Sequence, residues 1–293
     1  MICRGSVLNE LKAVKGCVSN YPHSFIQFID GNSHKTDFLR FPITDFLCDS
    51  GKFDVKIGKN RFLRDRIVLD VNRENISIKG ELIFSELTPF IGKPFSPGIM
   101  GPYSFVPFME CYHGLISVDH KVRGQLDWNN RKFKISDGRG YIEKDWGRSM
   151  PSSWIWIQSN IFDLPGTSFM LSIARIPWLG KAFIGYLAYF YHEKIFYTFA
   201  TYNNSRYEIY ENKDGKLKIQ LQNRRHRLLV SIPSTPEGGE LAAPVDGNME
   251  RTIRERTDSE VSIILEERKG RKIYEGIGKF CGIELTGNIE TLK

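Results

Sequence analysis

Hydrophobic and polar residues alternate with a period of two along most of this chain. Phe53, Val55 and Ile57 alternate with charged residues, and Leu217 to Leu221 repeats the pattern. This period is typical of strands that bury one face. The pattern predicts an all-β chain of short antiparallel strands. Comparable runs cover Phe25 to Phe28, Ile67 to Val71, Ile76 to Phe84, Phe169 to Ile173, Tyr186 to Tyr191, Ile195 to Tyr202, Leu228 to Ile232, Val261 to Leu265 and Ile283 to Ile289.

Few segments favour another structure. Two short candidates for helix lie at Glu10 to Val14 and Met249 to Glu255, and Ser234 to Asn248 has the composition of a loop. Five prolines fall between Pro89 and Pro107. Because proline donates no hydrogen bond to a sheet, we expect this segment to follow a sheet edge or to cross a barrel mouth.

The number and spacing of the strands predict a sandwich or a barrel, because turns recur every ~8–12 residues. A chain of 293 residues can bury two cores of ordinary size. We therefore predict two antiparallel β-barrels or sandwiches packed together, the first spanning residues 1–147 and the second residues 148–293. Barrels of this kind can enclose an apolar ligand.

The charge of the chain is moderately basic, at 41 − 34 = +7 from Lys plus Arg against Asp plus Glu. Such an excess suits a solvated surface or peripheral contact with an anionic membrane. Arg224 to Arg227 is the one dense basic run, and it continues into a predicted strand. We expect no nucleic-acid partner.

The cysteines indicate a reducing compartment. There are five, without a CxxC pair, so neither a disulfide framework nor a zinc site is predicted. The first sixteen residues contain no apolar run of signal-peptide length, and no run of about 18 apolar residues occurs. The prediction is a cytoplasmic protein.

Acid–base residues and aromatic residues are concentrated between Gly98 and Asn160, which holds four of the five tryptophans. Buried ionisable groups must be paired or used, so this stretch is the predicted site. On a strand covering residues 105–113, Phe108, Glu110 and Tyr112 would share one face and His113 the other. Burial between aromatic rings would raise the pKa of Glu110, as a general acid requires.

A second group of acids lies on a later predicted strand. Tyr141, Glu143 and Asp145 would share one face, with Trp146 opposite. Two close carboxylates repel, so one could stay protonated and act as an acid. The alternative is a structural ion-pair network that joins them to Lys144 and Arg148.

Imidazoles provide a candidate base. His120 follows Asp119, and this pair or His113 could accept a proton or position a hydroxyl. The seven-residue spacing between His113 and His120 matches no metal-ligand motif, so no metal is expected. Each histidine could instead be a buried, hydrogen-bonded structural residue.

An aromatic pocket is predicted on the strand that follows. Trp154, Trp156, Gln158 and Asn160 fall on one face. They would suit a pocket that stacks on a ring, cradles a prenyl chain and hydrogen-bonds hydroxyl groups. Both indoles could equally be plain core.

Several long segments resemble the tocopherol cyclase family, and the resemblance extends from about Pro22 onward. Members of that family usually begin with a further strand containing Gly-Trp-Tyr, so a first barrel without this strand is expected here. The matching segments are PFMECYHGLISVDH, GRGYIEKDWGRSMPSSWIWIQSN, IPWLG, SFIQFIDG, FDVKIGKNRF and FATY.

The resemblance implies two lipocalin-like barrels and the closure of a prenylated benzoquinol to a chromanol, without a metal or an organic cofactor. The partner would be a hydrophobic prenylated small molecule. Closure needs an acid for the alkene, a base for the phenol and aromatic faces that tolerate a cation. A lipocalin-like carrier without catalysis, or an enzyme that hydrates or isomerises a polyene, are the alternatives. The candidate catalytic residues are Glu110, Glu143, Asp145, His113, Asp119 and His120; the candidate substrate-binding residues are Phe108, Tyr112, Tyr141, Trp146, Trp154, Trp156, Gln158 and Asn160.

Overall fold

The structure is a computed structural model that describes residues 2–4, 22–49, 51–211, 215–234 and 238–293, with residues 2–4 and 211 described by their backbone only. Strands dominate these ranges, as the all-β prediction required. The candidate helix at Glu10 to Val14 lies outside the described residues. Short 3₁₀ turns cover Ile43–Asp45, Gly101–Phe105 and Ile289–Leu292. No helix in the described ranges is long and apolar enough to span a membrane.

Ten strands precede residue 148 in the described part of the chain, and ten follow it. The first ten are β1 Ile2–Arg4, β2 His23–Ile29, β3 Thr36–Pro42, β4 Phe46–Cys48, β5 Asp54–Ile57, β6 Asn60–Leu63, β7 Arg66–Arg73, β8 Ile76–Ser85, β9 Cys111–Trp128 and β10 Arg131–Gly147. The others are β11 Trp154–Ser159, β12 Ser168–Trp178, β13 Lys181–His192, β14 Ile195–Ala200, β15 Arg206–Glu211, β16 Lys216–Gln222, β17 His226–Pro233, β18 Gly239–Val245, β19 Asn248–Glu267 and β20 Lys272–Thr286.

These strands form three main antiparallel sheets. β1, β2 and β3 make a small sheet, and β4 to β10 follow one another in a seven-stranded sheet. The third sheet has the order β14-β13-β12-β11-β20-β19-β17-β16-β15, and β18 pairs with β19. The chain passes from the second sheet to the third between Gly147 and Trp154. The division into domains of residues 1–147 and 148–293 stays a prediction.

Each large sheet encloses a hydrophobic core, which gives two lipocalin-like barrels. In the first core, Ile26, Phe28 and Phe41 of the small sheet pack against β5 to β9. In the second core, Ile157 and Ile283 of neighbouring strands pack with residues from β12 to β20. Alternate residues along each strand are buried here, so the period-two pattern reports these cores directly.

The outer faces of the two barrels pack against each other. One apolar cluster joins Val118 of β9 to Met170 and Tyr189 of β12 and β13. A second cluster contains Trp154 and Trp156 of β11, and Tyr141 of β10 contacts both clusters. We call this contact the barrel interface. It also buries Ile99, so part of the proline-rich segment packs between the barrels instead of only following an edge.

Two predictions of local structure are wrong. The predicted loop at Ser234 to Asn248 contains β18, and the candidate helix at Met249 to Glu255 is part of β19. Both segments pair with each other in a hairpin. Ile253 and Glu255 are buried there while Arg254 is exposed, the period of a strand. The short polar sequence carried too few apolar residues to show that period clearly.

Candidate active site

His113 lies between two carboxylates at the barrel interface. It is directly opposite Asp145 in the antiparallel pairing of β9 with β10, and its Nδ1 is 2.6 Å from Asp145 Oδ1. Its Nε2 is 3.5 Å from Glu143 Oε2. The side chains of His113 and Glu143 are only 13% and 15% exposed, while that of Asp145 is 31% exposed. The imidazole can therefore exchange protons with a carboxylate on either side.

Tyr141 extends this group further into the interface. Its hydroxyl donates to Glu143 Oε2 over 2.6 Å. Burial, together with the negative charge of Glu143, raises the pKa of Tyr141 well above its ordinary value, so the phenol keeps its proton. The Tyr141 hydroxyl also interacts with that of Tyr189. We call Asp145, His113, Glu143 and Tyr141 the relay.

The sequence predicted part of this arrangement correctly. Tyr141, Glu143 and Asp145 were expected on one face of a strand, and the structure brings all three to the interface. The expected ion-pair alternative is not what Asp145 forms, because that carboxylate contacts His113. Lys144 instead places its Nζ 4.8 Å from the centre of the Trp146 ring. Whether the relay is catalytic is a proposal, developed below.

Phe108, Tyr112 and Trp146 do not join the relay. The prediction of a strand over residues 105–113 is wrong, since β9 begins only at Cys111. Phe108 lies in a turn, with φ of 63° and 83% of its surface exposed. Tyr112 and Trp146 stack on each other with ring centres 5.5 Å apart. They occupy the strand positions that alternate with His113 and Asp145, and so face the other side of the sheet.

Glu110 also lies before β9, in the same irregular segment. Burial, with the nearby charge of Asp246, raises the pKa of Glu110, and Arg148 partly opposes this. Cys111 lies between Glu110 and the relay, and burial beside these carboxylates raises the pKa of its thiol well above the ordinary value. The direction predicted for Glu110 is therefore right, but the cause is burial among polar residues outside a strand.

Asp119 and His120 do not form the predicted pair. Asp119 is 2% exposed and forms an ion pair with Arg139. Asn160 Nδ2 donates to the same Asp119 carboxylate over 3.0 Å and to the Gly140 carbonyl over 2.8 Å. This network links the two barrels, because Asn160 directly follows β11. We call it the interface clamp.

His120 belongs to the first core. Its ring centre is 4.7 Å from that of Phe84, and Nδ1 lies 3.1 Å from Ser117 Oγ. The ring lies over Gly140, where no Cβ would fit. This placement matches the structural alternative for His120.

The burial of His120 predicts a specific loss of stability in acid. Burial lowers its pKa from 6.5 to about 4. Between these values the unfolded chain binds a proton that the folded chain does not, so the free energy of unfolding falls as pH falls, by about 3 kcal/mol. Urea unfolding at pH 7, 5.5 and 4 should show a smaller pH dependence for His120→Gln than for the wild type. Parallel pH profiles would contradict the assignment.

A break in strand register explains why alternation failed between His113 and His120. Four residues separate Leu115 from His120 on β9, but only two separate their partners Glu143 and Gly140 on β10. β-Bulges of this kind insert residues into one strand and turn the following side chains. Asp119 consequently reaches Arg139, while His120 enters the first core.

The predicted aromatic pocket is partly assembled. Trp154 and Trp156 are 5% and 8% exposed and pack in the same cluster as Tyr141. Gln158 is buried beyond them, while Asn160 belongs to the clamp. The aromatic faces next to the relay are therefore those of Tyr141 and the two indoles.

Two carboxyl groups at this interface were missed by the sequence reasoning. Glu284 is 4% exposed and accepts a hydrogen bond from Trp154 Nε1 over 2.7 Å. Glu255 is fully buried, and its Oε1 lies close to Gly282 and the Trp156 ring. A charged residue within a period-two strand is ordinarily assigned to the solvent face. Only the packing of a second barrel onto that face could identify these two.

The same relay residues meet the spacing of a metal site. His113, Glu143 and Asp145 each offer one ligand atom, and these atoms lie within 4.8 Å of one another. However, both imidazole nitrogens of His113 already face carboxylates, which suits proton transfer. The absence of a metal remains a prediction, and a chelation control below addresses it.

An open groove elsewhere offers less suitable chemistry. Its volume is about 960 Å³, and it follows β7 to β10 where the first sheet bends. No relay residue lines it. Its lining includes Lys59, Asp70, Lys79, Glu81, Arg123 and Lys134. These charged groups are poorly suited to an apolar substrate.

Comparison with known proteins places the chain in a family. Residues 93–287 match the model of tocopherol cyclase-like proteins. The chain belongs to the tocopherol cyclase-like family. The match contains the relay and the clamp, and it starts later than Pro22, where the resemblance was expected to begin.

Curated relatives of this family member are distant. The chain is 24% identical over 195 residues to the chloroplastic tocopherol cyclase of Zea mays, and 22% identical over 194 residues to a chloroplastic protein of Oryza sativa subsp. japonica given as a probable tocopherol cyclase. The matches cover 64% and 62% of this chain. Each covers only 40% of the plant protein.

Solved structures show the same fold for this family member. A Nitrosomonas europaea protein assigned as AttH has a TM-score of 0.50 at 15% identity, covering 90% of this chain and 81% of its own. Kievitone hydratase of Nectria haematococca has a TM-score of 0.50 at 13% identity, covering 92% and 82%. CghA, solved with Sch210972, has a TM-score of 0.52 at 10% identity, covering 90% and 80%. These likenesses concern the fold alone.

Proposed function

We propose that this protein is an enzyme that closes a prenylated benzoquinol to a chromanol by protonating its alkene. The observation that carries the proposal is the relay itself, an imidazole between two carboxylates next to the aromatic faces of Tyr141, Trp154 and Trp156. Membership of the tocopherol cyclase-like family supports a reaction of the cyclase or isomerase type.

The chemistry requires one proton donor and one proton acceptor. Transfer of a proton to the trisubstituted alkene leaves a tertiary carbocation, and attack by a phenol oxygen closes the ring while the phenol loses its proton. Substrate and product are isomers, so no proton is consumed overall. A buried carboxylic acid is a suitable donor, because desolvation favours its protonated form.

We assign the donor role to Glu143 and the acceptor role to His113. The Glu143 side chain is 15% exposed against 31% for Asp145, so it is the better shielded acid. Asp145 at 2.6 Å stabilises the imidazolium that forms when His113 takes the phenolic proton. The 3.5 Å contact from His113 Nε2 to Glu143 returns the proton to the donor. One turnover would leave the relay unchanged.

The surrounding aromatic residues would protect the cation. Indole and phenol rings attract positive charge through their faces, and both tryptophans are buried. Water would trap the cation as an alcohol, so a site that excludes water favours ring closure. Tyr141 would hold Glu143 in position through its 2.6 Å hydrogen bond.

The proposal predicts a defined isotopic result. Purified protein incubated with a reduced prenylated benzoquinol in detergent should give a product of unchanged mass in H₂O. In D₂O, with exchangeable hydroxyl deuterons washed out, the product should carry one carbon-bound deuteron, because the alkene carbon takes its proton from the relay. Mass spectrometry of the extracted product measures both.

The other outcomes decide against cyclisation. A bound quinol recovered unaltered would support the lipocalin-like carrier instead. A product heavier by one water molecule would mean that water captures the cation, as in a hydratase. Either result overturns the proposed ring closure for this substrate.

A further inference from the structure

Large apolar side chains are exposed together beside the relay. Phe105, Phe108 and Leu179 are 64%, 83% and 72% exposed, and Trp178 and Pro107 are exposed beside them. These residues come from two separate parts of the chain, the loop before β9 and the turn between β12 and β13. We call these five residues the apolar rim.

The two parts of the rim are held together by specific contacts. Trp178 Nε1 donates to the Pro107 carbonyl over 3.3 Å. Behind them, the rings of Tyr103 and Phe183 stack with centres 6.1 Å apart. Exposed apolar residues scattered singly need no explanation, whereas a contiguous group marks an interaction surface.

The rim lies at the end of the barrel interface that contains the relay. The Tyr112 hydroxyl donates to the Val106 carbonyl over 2.7 Å, which ties the rim to the start of β9. His113 is the next residue along that strand. A molecule that leaves the rim for the interface would therefore meet the relay first.

Backbone conformation at the rim also points to function. Phe108 and Leu179 have φ of 63° and 48°, in the left-handed region that bulky residues rarely adopt. The turn at Leu179-Gly180 has the positive φ values of a type where Asn-Gly is usual, and here it presents leucine instead. Such conformations are costly, and the structure spends that cost on displaying apolar side chains.

Basic residues flank the apolar ones. Lys181 is exposed and directly opposite Trp178 in the pairing of β12 with β13. Lys144 is exposed and lies over the Trp146 ring. Aromatic residues with a polar edge and neighbouring lysines are the combination that binds the interface of a bilayer with anionic lipids. The net charge of +7 acts in the same direction.

We propose that the apolar rim docks this protein onto the surface of an anionic lipid bilayer, with Phe105, Phe108 and Leu179 inserted among the head groups. Docking there would present the relay end of the interface to molecules dissolved in the bilayer. The inference extends the proposed function, because a prenylated substrate resides in membranes. Docking is nevertheless measurable without any turnover.

Vesicle sedimentation tests the proposal. The full-length protein should sediment with vesicles of phosphatidylcholine containing 30% phosphatidylglycerol, a fraction chosen as roughly physiological for an anionic surface. The double variant Phe108→Ser/Leu179→Ser should lower the partition coefficient by about tenfold or more, since each side chain loses its burial in lipid. Lys144→Gln/Lys181→Gln should weaken binding to these vesicles but not to pure phosphatidylcholine.

Phe280→Ser is the matched control. Phe280 is 65% exposed and also has a positive φ, of 49°. Its neighbour Lys279 bridges to Ile161, beyond the end of β11 opposite to the rim. This variant should bind vesicles as the wild type does. Circular dichroism should show that all variants are folded.

Three results would overturn docking through the rim: a wild-type protein that stays in the supernatant, equal binding by the rim variant and the wild type, or equal losses for Phe280→Ser and the rim variant. Asp145→Asn separates this proposal from the proposed reaction. That variant should lose turnover and still sediment with vesicles. Loss of the reaction in every form would leave the vesicle result standing, and the reverse also holds.

Discussion

Replacing Asp145 with asparagine is expected to lower the rate of chromanol formation by about 10²–10⁴-fold, the usual contribution of a positioned acid–base group. The amide keeps the shape of the side chain but cannot stabilise an imidazolium at His113 Nδ1, 2.6 Å away. The turnover number with reduced prenylated benzoquinol in detergent measures the effect. Substrate binding should change much less.

Glu143→Gln should abolish the reaction to a similar extent for a different reason, since an amide cannot supply the proton. Asp137→Asn is the matched control, because Asp137 is an exposed carboxylate on the same strand as both relay acids. Normal turnover by Asp145→Asn or Glu143→Gln would refute the assigned roles. Activity that disappears with a chelator and returns with a divalent cation would show a metal at His113, Glu143 and Asp145 instead.

The second large effect concerns stability. Asp119→Ala should lower the free energy of unfolding by about 3–5 kcal/mol, because it leaves the Arg139 guanidinium without its buried partner. The Asn160 amide loses an acceptor at the same time. Urea unfolding followed by tryptophan fluorescence and circular dichroism measures the change.

A double variant tests whether the clamp is the cause. Asp119→Ala/Arg139→Met should recover part of the lost stability, since no unpaired charge then remains at the interface. Glu240→Ala provides the control, because the pair that Glu240 makes with Arg254 is exposed and should contribute little. A small effect of Asp119→Ala, similar to that of Glu240→Ala, would mean that the clamp does not stabilise the interface.

The correct and incorrect parts of the sequence reasoning differ in the regularity of the strand. β10 keeps its alternation from Tyr141 to Asp145, so the shared face of these residues could be predicted. β9 contains bulges between Leu115 and His120. A bulge depends on the backbone of both strands in a pair and leaves no periodic signal in either, so the separation of Asp119 from His120 could not be predicted.

Packing between the barrels explains the remaining omissions. Glu255 and Glu284 lie on an outer strand face, which ordinarily contacts water, and a second barrel covers that face here. Phe108 was expected in a strand because its neighbours are apolar. The turn that holds it is stabilised by contacts from Tyr112 and Trp178, which come from elsewhere in the chain.

The sequence by itself determined the all-β class, most of the strands, the two cores and the stretch that contains the relay, because burial on one face of a strand imposes a period of two on neighbouring residues. The tertiary structure decided which side chains meet. His113 joins Asp145 and Glu143 through strand pairing, and Asp119 joins Asn160 through the contact of two barrels. Such contacts depend on residues far apart in the chain, whose relative positions no local pattern records.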